Sequence, residues 1–287
     1  MERYDRNMKL FGAEGQVKLS RTRVAVVGCG GLGLRIVQES SLLGVGALVA
    51  IDDEMIDETN RNRYVGVLET DPVPGTLKVD IACRLANSIN RAVDITIIPD
   101  NIVAETALNA LRDVDVVFGC VDDDGVRFIL TQACLALDKP LIDMASDVPE
   151  PDVYGGRVAL VLPGTGCLLC RGLLDPKDVA AYLRPGEHQE MIDAIYGVER
   201  GYLHTAGPSV APLNGVIANL GAMEFMAHTT GLRPPNLHLE YLAHKGIVRR
   251  REITWDPDCY YCHTLRGCGE FRLPPEVVTM IYQRRTA

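Results

Sequence analysis

The sequence predicts a doubly wound α/β fold with a mostly parallel sheet, and three observations predict it. Short apolar runs alternate with helix-like stretches from residue 23 to about residue 145. The first run ends in a glycine-rich turn, Gly28-Cys29-Gly30-Gly31-Leu32-Gly33, and the second ends in the acidic pair Asp52-Asp53. Beyond residue 150 the alternation stops, and two Cys-x-x-Cys turns punctuate the remainder of the chain.

Each element has its own signal. Arg23–Val27 and Ala47–Ile51 are aliphatic runs short enough for buried strands, with a helix over Leu32–Leu43 between them. Leu77–Asn90 spaces its apolar residues as an amphipathic helix, Asp94–Ile98 is a strand and Thr106–Leu111 a short helix. Val114–Phe118 and Pro140–Asp143 are strands flanking a helix over Gly125–Leu137. Strands alternating with helices need crossover connections, which make neighbouring strands parallel. Such a sheet is Rossmann-like and binds ligands outside the carboxyl ends of its strands.

In the second half, Gly155–Leu162 reads as a strand and Gly166–Gly172 as a cysteine turn. Lys177–Gly201 is polar and reads as a surface excursion or loop. Val210–Thr229 has Glu224 as its single charge and reads as a buried helix. Residues 236–255 suggest two strands, hence an antiparallel C-terminal extension, and the tail holds the second cysteine turn. The expected organisation is one domain over 1–287, with a nucleotide-binding core at 20–150 and a second part at 151–287 that carries both cysteine turns.

Composition narrows the function classes. A net charge of −9 with no compensating basic stripe argues against nucleic acid. The short cluster Arg249-Arg250-Arg251 reads as a solvated strand edge. No apolar run reaches the roughly 18 residues of a membrane span, and the N-terminal stretch lacks a secretory apolar segment, so a cytoplasmic location is expected. Nine cysteines in such a chain suit metal binding or burial better than disulfides.

In the glycine turn, Gly28 permits the tight bend after the strand. Gly30 and Gly31 let backbone N–H groups approach phosphate, and Gly33 lets helix and sheet close together. Phosphate then sits at the positive end of the helix dipole. Cys29 reads as a small filler. Asp52, nineteen residues past Gly33, is placed to accept both ribose hydroxyls, which suits a dinucleotide and ATP equally. Arg63 and Lys78, after the second strand, favour a triphosphate because cations there offset charge on departing phosphates. Asp122, just past a strand end, is placed to hold Mg²⁺. Asp123 and Asp124 read as a helix N-terminus and Arg127 as a partner for a carboxylate.

Cys167-Leu168-Leu169-Cys170 and Cys259-Tyr260-Tyr261-Cys262 together supply four thiolates suited to tetrahedral zinc, a closed structural site worth on the order of 10 kcal/mol of folding free energy. A thiol redox role for one pair is the alternative, and His263 and Cys268 are substitute ligands. Cys83, Cys120 and Cys134 read as core.

With those residues in place, the chain resembles the ThiF/MoeB/HesA family, relatives of the ubiquitin-activating enzymes. The likeness runs through Arg3-Tyr4-Asp5-Arg6, Gly15-Gln16-Val17-Lys18-Leu19, the glycine turn, Asp52, Asn60-Arg61-Asn62-Arg63, Gly75-Thr76-Leu77-Lys78, Val121-Asp122, Arg127, both cysteine pairs and Ala206-Gly207-Pro208. It implies Mg·ATP-dependent adenylation of a C-terminal carboxylate, usually of a small ubiquitin-like protein ending in Gly-Gly, with release of pyrophosphate. It implies Asp52 on the ribose, Asn60, Arg63 and Lys78 at the phosphates, and Asp122 on Mg²⁺. It further implies a homodimer in which Arg6 enters the partner's site. The family's Asp-x-Asp stands here as Asp52-Asp53-Glu54, and its Asn-Leu-x-Arg-Gln as Asn60-Arg61-Asn62-Arg63-Tyr64, so Arg61 is an extra charge expected to meet nucleotide or substrate tail.

Many relatives carry a nucleophilic cysteine after the first cysteine pair, whereas Arg171 to His204 contains none here. The reaction is therefore expected to stop at the adenylate or pass it directly to an acceptor. Cys268 is the one remaining candidate thiol. Ala206–Asn214 resembles a segment that embraces the substrate's tail, or else leads plainly into the next helix. The substrate class ranges over a sulfur-carrier or ubiquitin-like protein, a short peptide and an amino acid. The competing functions are an NAD-dependent oxidoreductase and a catalytically silent partner subunit.

Overall fold

Every residue from Val24 to Val27 and from Ala47 to Ile51 is buried, so neither strand has a solvent face and helices must cover both sides of the sheet. The computed structural model describes residues 2–150, 152–183 and 209–286. Among these residues the strands β1 (Arg23–Val27), β2 (Ala47–Ile51), β3 (Asp94–Ile98), β4 (Val116–Gly119), β5 (Leu141–Glu150), β6 (Val153–Val161), β7 (His238–Leu242) and β8 (Ile247–Arg250) form one sheet. Its order is β3-β2-β1-β4-β5-β6-β7-β8. Val24 stands level with Leu48 and with Val116 in parallel pairs, whereas β5 through β8 pair antiparallel. Strand order reverses between β1 and β4, which fixes a ligand crevice outside their carboxyl ends.

Alternating side chains build two cores. Val24, Val26, Leu48, Ala50 and Phe118 face helices α2 (Gly33–Leu43) and α3 (Lys78–Ile89) and the Ala211–Thr230 helix. Ala25, Val27, Val49, Ile51 and Val117 face α4 (Glu105–Ala110), α5 (Asp124–Ala136) and the buried cysteines. The Ala211–Thr230 helix is largely buried, as its small apolar residues predict. Its one acid, Glu224, takes a bidentate contact from Arg233 at 2.7 Å and the Asn236 N–H at 2.7 Å.

An N-terminal helix, α1 (Asp5–Arg21), breaks at Phe11 and Gly12, where Gly12 adopts a φ of +77°. It lies at the amino ends of the strands. Gln16 Nε2 donates to the Leu43 carbonyl at 2.9 Å, and Asn90 Nδ2 donates to the Tyr4 hydroxyl at 2.8 Å, just before β2 and β3 respectively.

β1, β2 and β3 match their expected bounds, and the two C-terminal strands fall within 236–255. Three expectations are corrected. β5 runs seven residues past Asp143 because it pairs with β6 as a hairpin, with a register shift between Asp147 and Glu150. β4 starts at Val116 because Leu111–Asp113 forms a turn of 3₁₀ helix ahead of it. The polar stretch expected as a surface excursion or loop begins with α6 (Pro176–Leu183), which buries Val179 and sets Tyr182 against Gly125 of α5. Residues 184–201 lie outside the described part.

Candidate active site

The glycine turn is held in a form that no other residue permits. Gly28 has a φ of +88°, and a Cβ there would stand 2.8 Å from the Cys120 carbonyl oxygen. At Gly33 a Cβ would stand 1.8 Å from the Gly28 carbonyl oxygen. These contacts pin the turn between β1, β4 and α2, leaving the helix amino end at the crevice for an anion. Asn214, 2% exposed, closes over Gly31, where a Cβ would lie 2.3 Å from its Nδ2.

Asp52 ties the end of β2 to this turn. Its Oδ2 accepts the Cys29 N–H at 2.6 Å and its Oδ1 the Glu54 N–H at 2.9 Å. Burial raises its carboxyl above the ordinary range, against the pull of Lys78 and those two N–H groups. The expected ribose ligand therefore also sets the loop's position.

Lys78 opens α3 and is 8% exposed. Its N–H donates to the Glu54 carbonyl at 3.0 Å, and its Nζ pairs with the Glu54 carboxylate. Burial opposes the ammonium, but Asp52, Tyr64 and Glu54 outweigh it and hold the group charged. Tyr64 lies between two cations: Lys78 Nζ is 5.6 Å and Arg63 Cζ 5.2 Å from its ring centroid. Its hydroxyl faces Gly30. Glu54 and Tyr64 join the cluster without having been singled out from sequence. Their signal was the departure from Asp-x-Asp and an aromatic directly after Arg63.

Asn60, 3% exposed, accepts the Asp57 N–H at 3.1 Å, and its carbonyl takes the N–H groups of Arg63 and Tyr64, so it shapes the loop that presents both. The expectation for Arg61 is corrected. Its guanidinium is spent within the loop, on Glu58 at 2.9 Å and on the carbonyls of Leu68 and Asp71 at 2.6 and 2.9 Å.

Asp122 is exposed beyond the end of β4, on the strand side of the crevice opposite β2. The preceding Cys120 donates its N–H to the Val27 carbonyl at 2.8 Å, which ties this segment to β1. Asp123 caps α5, accepting the Gly125 and Val126 N–H groups at 2.7 and 3.1 Å. Asp124 does not cap. It pairs with Arg127 at 3.0 Å and accepts the Asp175 N–H at 2.8 Å. Arg127, as expected, meets carboxylates: buried Asp143 lies 3.3 Å from its Nε, and its Nη2 donates to the Val121 carbonyl at 2.6 Å.

Arg6 is exposed in the first turn of α1, and its neighbours Arg3 and Tyr4 are tied to Asn90 at the amino ends of the strands. Within one chain it therefore stands at the opposite end of the sheet from the glycine turn. Residues 206–208 of the expected tail-embracing segment lie outside the described part. Ser209 Oγ accepts from Asn214 Nδ2 at 3.0 Å.

The four cysteines converge. Their sulfurs lie within 4.8 Å of one another, with Cys167 to Cys259 at 3.9 Å and Cys170 to Cys262 at 3.8 Å. Those spacings exceed a disulfide and match the roughly 3.8 Å edge of a tetrahedron drawn with Zn–S bonds of about 2.3 Å. The donor set thus fits zinc, and neither His263 nor Cys268 belongs to the cluster. Cys29, Cys120 and Cys134 are drawn well above the ordinary thiol range by burial.

The chain matches the model of the "ThiF family" over residues 4–260. It is 27% identical over 266 residues to "Adenylyltransferase and sulfurtransferase MOCS3" of Sus scrofa, covering 91% of this chain and 52% of that protein. It is 33% identical over 144 residues to the "Sulfur carrier protein adenylyltransferase" of Thermus thermophilus, covering 50% of this chain and 52% of that one. The chain spans about half the length, or less, of the curated relatives it matches. Its fold is similar to that of E. coli MccB solved with ATP, with a TM-score of 0.71 at 23% identity, over 91% of this chain and 74% of that one. No helix among the described residues is long and apolar enough to cross a membrane. On the match over residues 4–260 and the fold that carries it, the chain belongs to the ThiF family.

Proposed function

We propose that this chain is an ATP-dependent adenylyltransferase that activates the C-terminal carboxylate of a ubiquitin-like or sulfur-carrier protein, or of a small peptide, as an acyl-adenylate with release of pyrophosphate. The observation that carries the reading is the gathering of Lys78 and Arg63 about Tyr64 beside a glycine turn that excludes side chains. Two cations at that place serve a triphosphate that loses pyrophosphate, and hydride transfer from a nicotinamide has no use for them.

In this reading the glycine turn receives phosphate at the start of α2, and Asp52 receives the ribose. Asn60, Arg63 and Lys78 meet the phosphates. A carboxylate oxygen of the substrate attacks the α-phosphorus while the bond to pyrophosphate breaks, and the cations offset charge on the departing group. Asp122 would hold Mg²⁺, which supplies charge neutralisation across the phosphates. Because Arg6 stands at the far end of its own sheet, it would act in a second copy's site, which makes the enzyme a homodimer. Zinc would be held by Cys167, Cys170, Cys259 and Cys262. Reduced thiols of this kind suit a cytoplasmic location.

The stretch from Arg171 to His204 lacks cysteine, and burial keeps Cys29, Cys120 and Cys134 as thiols, which leaves the exposed Cys268 as the one candidate nucleophile; in this reading the reaction stops at the adenylate or passes it directly to an acceptor. Exchange of labelled pyrophosphate into ATP, dependent on an added carboxylate-ended polypeptide, tests the activity. A thiol-sensitive covalent conjugate on a gel would remove the thioester-free part.

A further inference from the structure

The adenylation site leaves a second concave feature unused. A cleft of about 350 Å³ lies on the antiparallel extension, between the β5–β6 hairpin and β7. Arg157, His238, Glu240, His244 and Arg249 contribute to its polar lining, and Tyr154 and Leu173 also line it.

Its polar groups are unevenly spent. Glu240 is saturated by Arg249 at 2.7 Å and Arg251 at 2.8 Å. Arg157 directs one nitrogen, Nη2, to the Leu173 carbonyl at 2.8 Å and toward Asp143 at 3.5 Å, while its Nε has no hydrogen-bond partner among the described residues. His238 is 8% exposed, and its buried Nε2 also has no hydrogen-bond partner among the described residues. Burial, then the neighbouring Arg171, holds its imidazole below the ordinary range, so it is a neutral ring. Buried nitrogens without partners are uncommon in folded proteins and call for an explanation, and one bound anionic group would supply it for both. A carboxylate satisfies an Arg157 edge and an imidazole N–H together, while the rim suits an aliphatic stem.

Position says where that carboxylate comes from. Arg157 stands level with Ala145, two residues beyond the row of Asp143 and Gly119 where β4 ends. The cleft thus opens at the same end of the sheet as the nucleotide crevice. From β4 to the gap between β6 and β7 is two and a half strand spacings, roughly 12 Å. An extended chain covers that distance in about four residues.

We infer that this cleft receives an acidic side chain of the polypeptide substrate, about four to six residues upstream of the carboxylate that is activated. The inference rests on the adenylation reading for the direction of the tail. On a chain of net charge −9, recognition of an acidic substrate has to come from such a local group of cations.

The test uses fluorescein-labelled decapeptides ending in Gly-Gly, with either Glu or Gln at the fourth to sixth positions from the C-terminus. Anisotropy titrations into the full chain should show the Glu peptide binding about tenfold more tightly, a preference that falls toward unity in Arg157→Gln. Arg249→Gln, on the exposed edge strand, should reduce it as well and decides the matter if Arg157→Gln loses its fold. Equal affinity for both peptides, binding of neither, or a preference surviving in the folded variants would overturn the inference. Pyrophosphate exchange with the same peptides separates the two readings. Exchange without a Glu preference removes only the cleft, whereas a Glu preference without exchange removes only the adenylation.

Discussion

The crevice outside β1, β2 and β4 and the four-cysteine cluster both gather ionisable side chains, yet they do so in opposite ways. The sulfurs lie within 4.8 Å of one another around a volume that fits one cation. Around the crevice, Asp122 and the Lys78–Glu54 pair are spread along a mouth, and Asp122 is exposed. A closed donor set binds one ion and contributes stability, whereas an open one keeps capacity for a ligand that comes and goes. The structural half should therefore fail in stability when altered, and the open half should fail in activity.

The largest expected effect is on the closed side. Cys259→Ser or chelation should remove one zinc per chain and on the order of 10 kcal/mol of folding free energy, read as metal content and loss of the cooperative thermal transition. An unchanged melting temperature after complete metal removal would break the contrast at once. Next comes Arg127→Leu, which leaves the 1%-exposed Asp143 facing a lost partner and should cost about 3–5 kcal/mol in denaturant titration. The double variant Arg127→Leu/Asp143→Leu should recover part of that loss.

On the open side, Asp122→Ala should lower pyrophosphate exchange by about 10²–10³ while moving stability by less than about 0.5 kcal/mol. A variant that unfolds instead would make Asp122 a structural residue. The smallest effect is expected at Glu54, whose carboxylate pairs with Lys78 and in the proposed reading would compete with phosphate for it. Glu54→Gln should lower the KM for ATP by about two- to fivefold. A rise in KM would mean that Glu54 serves to aim the ammonium.

These contrasts also explain how much was legible from the residues alone. The first three strands were readable to the residue because Gly28, Asp52 and Pro99 close the three apolar runs. The loops holding Asp52, Lys78 and Asp122 were readable because parallel strands place their carboxyl ends together. β5 was not, since its outer half exists only through pairing with β6. Arg61 looked available because two of its three acceptors are backbone carbonyls, which carry no sequence signal. Tyr64, Glu54 and His238 matter through contacts across space; the departure from Asp-x-Asp and the aromatic after Arg63 mark the first two locally, and nothing local marks His238. Arg6 was placed by resemblance, and α1 explains why it has no work at its own chain's crevice.

The central claim is that a substrate carboxylate attacks the α-phosphorus of ATP at the crevice. Oxygen-18 placed in the C-terminal carboxylate of an activated Gly-Gly peptide tests it most directly. After the adenylate is consumed by an acceptor, the account predicts one labelled oxygen in AMP. Label appearing in inorganic phosphate alongside ADP would contradict it, since that pattern requires attack on the γ-phosphorus.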